Sequence, residues 1–263
     1  MMLALERLRR NVMQPSLARN IQPMAARAQT LDITSLMSQR ATSVQRFSLF
    51  SGIPLSDCIK IVSTAQEKHF SRRQTIFFEG DPIRHIVFLL SGCVKVTQFG
   101  PNGQEVILRL NGPGEMVGML GLHAKGSHSS TARTVQMAAA LVWDAAHFEA
   151  VSERYPLLRR NTARVLEQRL HELEERFREI STEKVSPRLS SQLLRLLPQV
   201  GKRVNDEVEI SLSREELAQL TGTTLFTVSR LLSQWELQGI VSARREMVLV
   251  RDVQALTALS HSQ

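Results

Sequence analysis

Residues 211–250 read SLSREELAQLTGTTLFTVSRLLSQWELQGIVSARREMVLV. Ser213 followed three residues later by Glu216 is a capping box, which predicts a helix starting at Arg214. Gly222 ends that helix, and Thr224 can cap a second one by accepting from the backbone N–H of Thr227 or Val228. Two short helices across a glycine turn make a helix-turn-helix. On a wheel of about 100° per residue, Leu225, Val228, Leu231, Leu232 and Trp235 share one side of the second helix, which is predicted as core. Phe226, Ser229, Arg230 and Ser233 share the other, predicted as exposed.

Two strands follow, GIVSA and MVLV, with the charged tip RRE between them, so the segment reads as a winged helix. A second helix of this kind fits the major groove of DNA, where Arg230 can donate two parallel bonds to guanine O6 and N7. Arg214, Thr223 and Thr224 lie near helix ends, where contacts to phosphate fix register without reading bases. The alternative for such a segment, which is near charge balance, is a packing unit or a protein-binding winged helix.

Working upstream, LSSQLLRLLPQV reads as a helix after a break at Pro187 and stopped near Pro198, followed by GKRVNDE and a strand VEISL. Before that, LLRRNTARVLEQRLHELEERFREISTEK has no Gly or Pro and is predicted as one long helix after Pro156. Ala163, Leu166, Leu170, Leu173, Phe177 and Ile180 alternate steps of three and four, the seam by which one helix packs on another. The same stripe can instead pack on its own neighbouring domain, and the two uses can share one helix. The flanking Arg169, Glu172, Arg176 and Glu179 are predicted as solvated charges.

From Phe47 to Phe148 the texture is short apolar runs broken by Gly, Pro and Asn: QTIFFEGDP, HIVFLLSG, VKVTQFGPNGQ, EVILRLNGPG, ALVWDAA. That spacing predicts an antiparallel β-roll of jelly-roll type, with a turn at GPNGQ (100–104). The fold class is therefore α+β: an extension at 1–45, expected to be mobile, a β-roll at 46–150, a long helix at 151–184, a winged helix-turn-helix at 185–254 and a tail at 255–263.

Composition excludes several classes. Of 263 residues, 43% are hydrophobic and 22% charged, as in an ordinary globular protein, and the formal charge of +8 suits an anionic partner such as nucleic acid. The longest apolar run, MAAALVW, is far short of the roughly 20 residues a bilayer crossing needs, so no membrane span is expected. The Arg-rich start has no signal-peptide core, and with only Cys58 and Cys93 a reducing cytoplasm is the expected location. Two cysteines cannot supply the four thiolates of an iron–sulfur cluster, and no metal-ligand spacing or nucleophile–base grouping is present, so neither a metal site nor catalysis is expected. A dimeric sensor or scaffold that binds no DNA is the competing class.

LFSGIPLSD, EGDPIRHIVFLLSGCVKV, PGEMVGMLG, the long helix and ELAQLTGTTLFTVSRLLSQWE together resemble the CRP/FNR family of bacterial transcription regulators, from about Phe47 to Asp252. The resemblance implies a homodimer on a two-fold related operator, with RNA polymerase as a further partner and an effector bound by the roll. Ser229 and Arg230 sit where the FNR branch has its base-contacting pair; Phe226 departs from the glutamate most members carry, and a phenyl ring cannot accept from cytosine.

In cyclic-nucleotide-binding members, the loop resembling 114–133 holds the ribose with a Glu and the phosphate with an Arg-Ser pair. This chain keeps Gly118, Leu120 and Gly121 but has Met119, Ser129 and Ser130 at those places, and Leu173 and Glu174 where the cyclic-AMP branch meets adenine with a Thr-Ser pair. A buried phosphate needs a cation. Arg133 lies four residues beyond Ser129 on one strand, on the same face, yet cyclic AMP is not expected as the effector. The effector-pocket candidates are accordingly Gly118, Met119, Ser129, Ser130, Arg133 and Leu173, and the effector is unnamed. Haem is the lesser alternative: His123 and His128 flank the loop and imidazole is a good iron ligand, although a lone surface histidine is the commoner state.

Overall fold

The computed structural model describes residues 36–118 and 126–261. A helix α1 at 36–45 leads into a 3-10 turn (Ser48–Phe50) and α2 (Leu55–Ser63). Eight strands follow: β1 (Gln66–Phe70), β2 (Thr75–Phe77), β3 (His85–Ser91), β4 (Val94–Phe99), β5 (Glu105–Asn111), β6 (Met116–Val117), β7 (Thr131–Thr134) and β8 (Ala138–Asp144). They form two antiparallel sheets, ordered β1-β8-β3-β6 and β2-β7-β4-β5. The turn at GPNGQ joins β4 to β5, with Gly100 N–H donating to Gln104 O at 2.9 Å and Gly103 at φ +77°.

Why HIVFLL reads as a continuous apolar run is explained by β3, which is buried on both faces. Val87 and Leu89 point between the sheets, against Val94, Val96, Ala132 and Val142. Ile86 and Phe88 point the other way, into a second core made with Ala41, Val44, Phe50, Ile61 and Phe148. The expected mobile extension therefore needs correction at its end: Ala41 and Val44 of α1 are fully buried, because helices must cover the outer face of this sheet. Trp143 closes that layer, its indole N–H donating to Ile61 O at 3.1 Å.

A helix α3 (Ala145–Arg154) ends the roll, and α4 (Pro156–Thr182) begins with proline at its first turn, where the missing N–H costs nothing. Its 27 residues extend about 40 Å. Asn161 fastens it to the roll, donating to Leu49 O at 3.0 Å and Ser51 O at 2.8 Å. The seam residues Ala163, Leu166, Leu170, Leu173, Phe177 and Ile180 all face outward, Phe177 with 74% of its surface exposed, so the stripe does not pack on the roll.

What meets the roll is the set predicted as solvated charges. Arg169 and Arg176, two helical turns apart, share the inward face of α4. The guanidinium of Arg169 donates to Gly118 O at 3.1 Å and to Met116 O; that of Arg176 donates to Leu108 O, to Ile107 O at 3.3 Å and to Leu220 O at 2.8 Å. The reason is that β5 and β6 are sheet edges whose carbonyls need donors. Glu179 is buried too, and accepts both arms of Arg195 at 2.6 and 2.9 Å. Of the four, Glu172 alone is exposed as predicted.

After Glu183 the chain enters α5 (Val185–Val200), which includes Pro187 in its first turn and continues two residues past Pro198, beyond the stop predicted there. Pro198 is tolerated because it lies in the last turn, where one lost bond does not interrupt a helix. A four-stranded sheet ordered β11-β12-β10-β9, from β9 (Lys202–Val204), β10 (Glu207–Ile210), β11 (Val241–Arg244) and β12 (Met247–Val250), packs with α5, α6 (Arg214–Thr221) and α7 (Leu225–Leu237). The expected tail is instead largely helical: α8 (Val253–Ser260) is capped by Asp252 and buries Leu256, whose carbonyl accepts from Ser190 at 2.6 Å. Ile107, Leu110, Cys93 and Val135 of the roll belong to the same core as Leu217, Leu220 and Trp235, so the two domains share apolar surface. Among the described residues, no helix is long and apolar enough to cross a membrane.

Candidate nucleic-acid interface

The capping box forms as the sequence predicts: Ser213 Oγ accepts from Glu216 N–H at 3.2 Å while Glu216 accepts from Ser213 N–H at 2.9 Å. Gly222 stops α6 in the left-handed region at φ 61°, where a side chain would be strained. Thr224 then caps α7, accepting from Thr227 N–H at 3.2 Å. Val228, Leu231, Leu232 and Trp235 are buried, which fixes the rotation of α7 about its axis. Leu225, predicted as core, is instead 45% exposed, because the first residue of the helix projects beyond the layer that α6 covers.

The opposite face carries Phe226, 84% exposed, with Arg230 and Ser233 exposed and Ser229 half-buried. Among the described residues no hydrogen bond or ion pair engages the Arg230 guanidinium. Thr224 is exposed at the helix entrance, while Thr223 is half-buried, its N–H donating to Ala218 O at 3.1 Å. Arg214 departs from the expected free helix-end cation: it is half-buried and turned to the wing, donating to Ala243 O at 3.3 Å.

The wing is held in two ways that sequence reading missed. Glu236, on α7, accepts from Ser242 Oγ at 3.1 Å and Ala243 N–H at 3.2 Å, which sets β11 against the end of α7. At the wing tip, Glu246 is paired with Arg72 at 2.5 Å and Arg73 at 2.8 Å, both from the turn between β1 and β2. Arg72 beside it holds the Glu246 carboxyl below the usual carboxylate range. Arg244 and Arg245 stay exposed at the tip. The Arg72-Arg73 pair gave no signal of its own, since a basic dipeptide in a turn is an ordinary solvated feature.

The effector-pocket candidates do not come together as one set. Gly118 sits at the end of β6 with φ +81°, and its carbonyl accepts from Arg109 at 3.0 Å as well as from Arg169. Ser130 is buried, but Ser129 is exposed in the bend before β7, and Arg133 is exposed on β7 itself, against Thr75 at 3.4 Å. The expected single strand carrying both does not form, since β7 begins at Thr131, and the even spacing therefore sets no common face. Leu173 faces outward with the seam. Met119, Leu120, Gly121 and His123 lie outside the described residues.

His128 is buried rather than on the surface, stacked on Phe77 with ring centroids 3.6 Å apart and planes within 7°. Burial pushes its imidazole below the ordinary histidine value, with Asp81 acting weakly the other way. Burial likewise pulls Arg169 down to about 10, with Arg109 beside it adding to the effect, and it remains a cation at neutral pH. The thiol of Cys93 is pushed up to about 12 by burial, which makes it a packing residue rather than a nucleophile.

A family model for the cyclic nucleotide-binding domain matches residues 67–155, and one for the Crp-like helix-turn-helix domain matches 187–259. The cyclic AMP receptor protein of Thermus thermophilus is 30% identical over 213 residues, covering 81% of this chain and 96% of that protein. The CRP-like cAMP-activated global transcriptional regulator of Mycobacterium tuberculosis is 28% identical over 213 residues, covering 80% and 95%. Among solved structures, FixK2 from Bradyrhizobium japonicum superposes with a TM-score of 0.67 at 22% identity, covering 76% of this chain and 98% of that one. A CRP-family transcriptional regulator from Thermus thermophilus gives 0.65 at 24%, covering 74% and 97%.

Proposed function

Because the chain belongs to the CRP/FNR family of transcription regulators, we propose that it acts in the cytoplasm as a homodimer on a two-fold related DNA operator, with α4 as the dimer helix and α7 as the reading helix. The observation that carries this reading is the outer face of α7. Ser229, Arg230, Ser233 and Phe226 project there from a helix whose rotation is fixed by its buried side, and Arg230 is not held by the protein's own groups among the described residues. In the major groove Arg230 donates to guanine; Thr223 and Thr224 contact phosphate at the helix entrance, with Arg214 supporting the wing beside them.

The dimer follows from the seam. Five large apolar side chains along one exposed stripe of α4, Leu166 to Ile180, call for a second copy of the same stripe. RNA polymerase is the expected further partner of such a regulator. Its effector is a molecule other than cyclic AMP: Ser129 stands exposed where relatives that bind the nucleotide have a cation, and Arg133 is exposed as well. An effector acts by binding one arrangement of roll, α4 and winged helix better than another, which shifts the population with the productive helix spacing.

Replacing Arg230 by Ala tests the reading. Specific binding should weaken by about 1–3 kcal/mol with loss of preference at one base pair per half-site, measured by competition among duplexes. Equal weakening on all sequences would make Arg230 a phosphate contact and remove it from the reading set.

A further inference from the structure

The two sheets of the roll meet α4 along one side only. Arg169 and Arg176 cover the β5 and β6 edges; the opposite edges are β2 and β1, the latter tied to α1 by the Arg40–Glu67 ion pair. Beside β1 and β2 lies a cavity of about 350 Å³, within the range of small-molecule sites, about 300–1,000 Å³. Its floor is apolar, made by Phe70, Phe77, Val87 and Val142 from between the sheets. Its mouth carries the exposed cations Lys68 and Arg84 with His85, against one acid, Asp81, among the described residues.

The floor is also mechanically tied to the far side of the roll. Phe77 stacks on His128, and a Cβ placed on Gly118 would stand only 2.6 Å from the Phe77 ring, so the ring rests directly on the Gly118 backbone. His128 Nδ1 is buried beside Gly118 and has no hydrogen-bond partner among the described residues, so this nitrogen does not hold the stack in place. The Gly118 carbonyl in turn takes the guanidinium of Arg169, which belongs to α4.

We propose that the roll binds a small amphipathic anion, one carboxylate on a compact apolar body, through the mouth between β1 and β2, and that its arrival reaches α4 through the Phe77–His128 stack, Gly118 and Arg169. The apolar body displaces water from the floor while the carboxylate meets the cations at the rim, so neither an uncharged tail nor a bare anion satisfies both halves. The binding half stands on the cavity alone; the coupling half rests on the reading of the chain as an effector-controlled regulator.

Sodium octanoate is the probe, with 1-octanol as the tail without the charge and inorganic phosphate as the charge without the tail, each titrated calorimetrically into the full chain. Octanoate should saturate one site per protomer, phosphate should give no saturable heat, and the exposed double variant K68E/R84E should weaken octanoate about tenfold while leaving octanol unchanged. Absence of saturable octanoate binding, or equal binding by the variant, overturns the site. Hydrogen exchange with octanoate present should alter protection in α4 as well as in the strands around the cavity; a change confined to those strands overturns the coupling. Should octanoate bind and alter α4 with no effect on affinity for selected DNA, the failure is that of the regulator reading and not of the site.

Discussion

At the scale of single residues, the outward face of α7 decides what the protein reads. Phe226 is the informative departure, since its ring stands 84% exposed where most relatives are expected to carry an acceptor. Its chemistry suits a thymine methyl. Phe226→Glu is expected to move the preference at one base pair toward cytosine while leaving the Arg230 position unchanged, as read by selection of bound duplexes with each variant. A change at every position would mean that the ring packs the helix rather than reads DNA. These residues were legible because capping and helical period leave little freedom in which side faces out. Arg169 and Arg176 were not legible: their charge predicts water, and only the neighbouring strand edges and α6, 44 or more positions away in sequence, supply carbonyls that outcompete it.

At the scale of elements, α4 and the wing carry opposite lessons. The seam of α4 was readable from its three-and-four spacing, and its exposure in one protomer is what a dimer helix requires. L170E/F177E should therefore give a monomer by sedimentation at concentrations where the parent is a dimer; the monomer should keep its helical circular dichroism, because both side chains face water in the single chain, but melt at a lower temperature, because association stabilises the parent. The wing was readable as two strands and a charged tip, but its attachment to the roll was not, since an ion pair across more than 170 residues leaves no local pattern.

Glu246→Gln tests that attachment. At neutral pH the wing of the variant should exchange its amide hydrogens faster than the parent's. The Glu246 carboxyl is depressed by Arg72, so its contribution is present above the ordinary carboxylate range and is lost as pH falls through the lowered value. The parent and variant should consequently converge in acid. Both partners are exposed, and a modest effect is expected.

At the scale of the whole molecule, the order of roll, long helix and winged helix followed from texture alone: turn-punctuated strands, then a run without Gly or Pro, then capped short helices. How the parts are joined did not. The core that Ile107 and Leu110 share with Leu217 and Leu220, and the bonds from Arg176 to both Leu108 and Leu220, make the roll and the reading domain neighbours through β5 and α6. That junction is where a change in the roll can tilt α7, and tertiary contacts of this kind have no signature in periodicity.

Two copies of α7, set by α4, are expected to read a symmetric DNA site. Selection of bound duplexes from a random pool by the full chain tests this most directly. The expected product is an inverted repeat whose half-sites lie about one helical turn apart, centre to centre, with a guanine in each that loses its preference in Arg230→Ala. Enrichment of no sequence, or of a motif without two-fold symmetry, would contradict it.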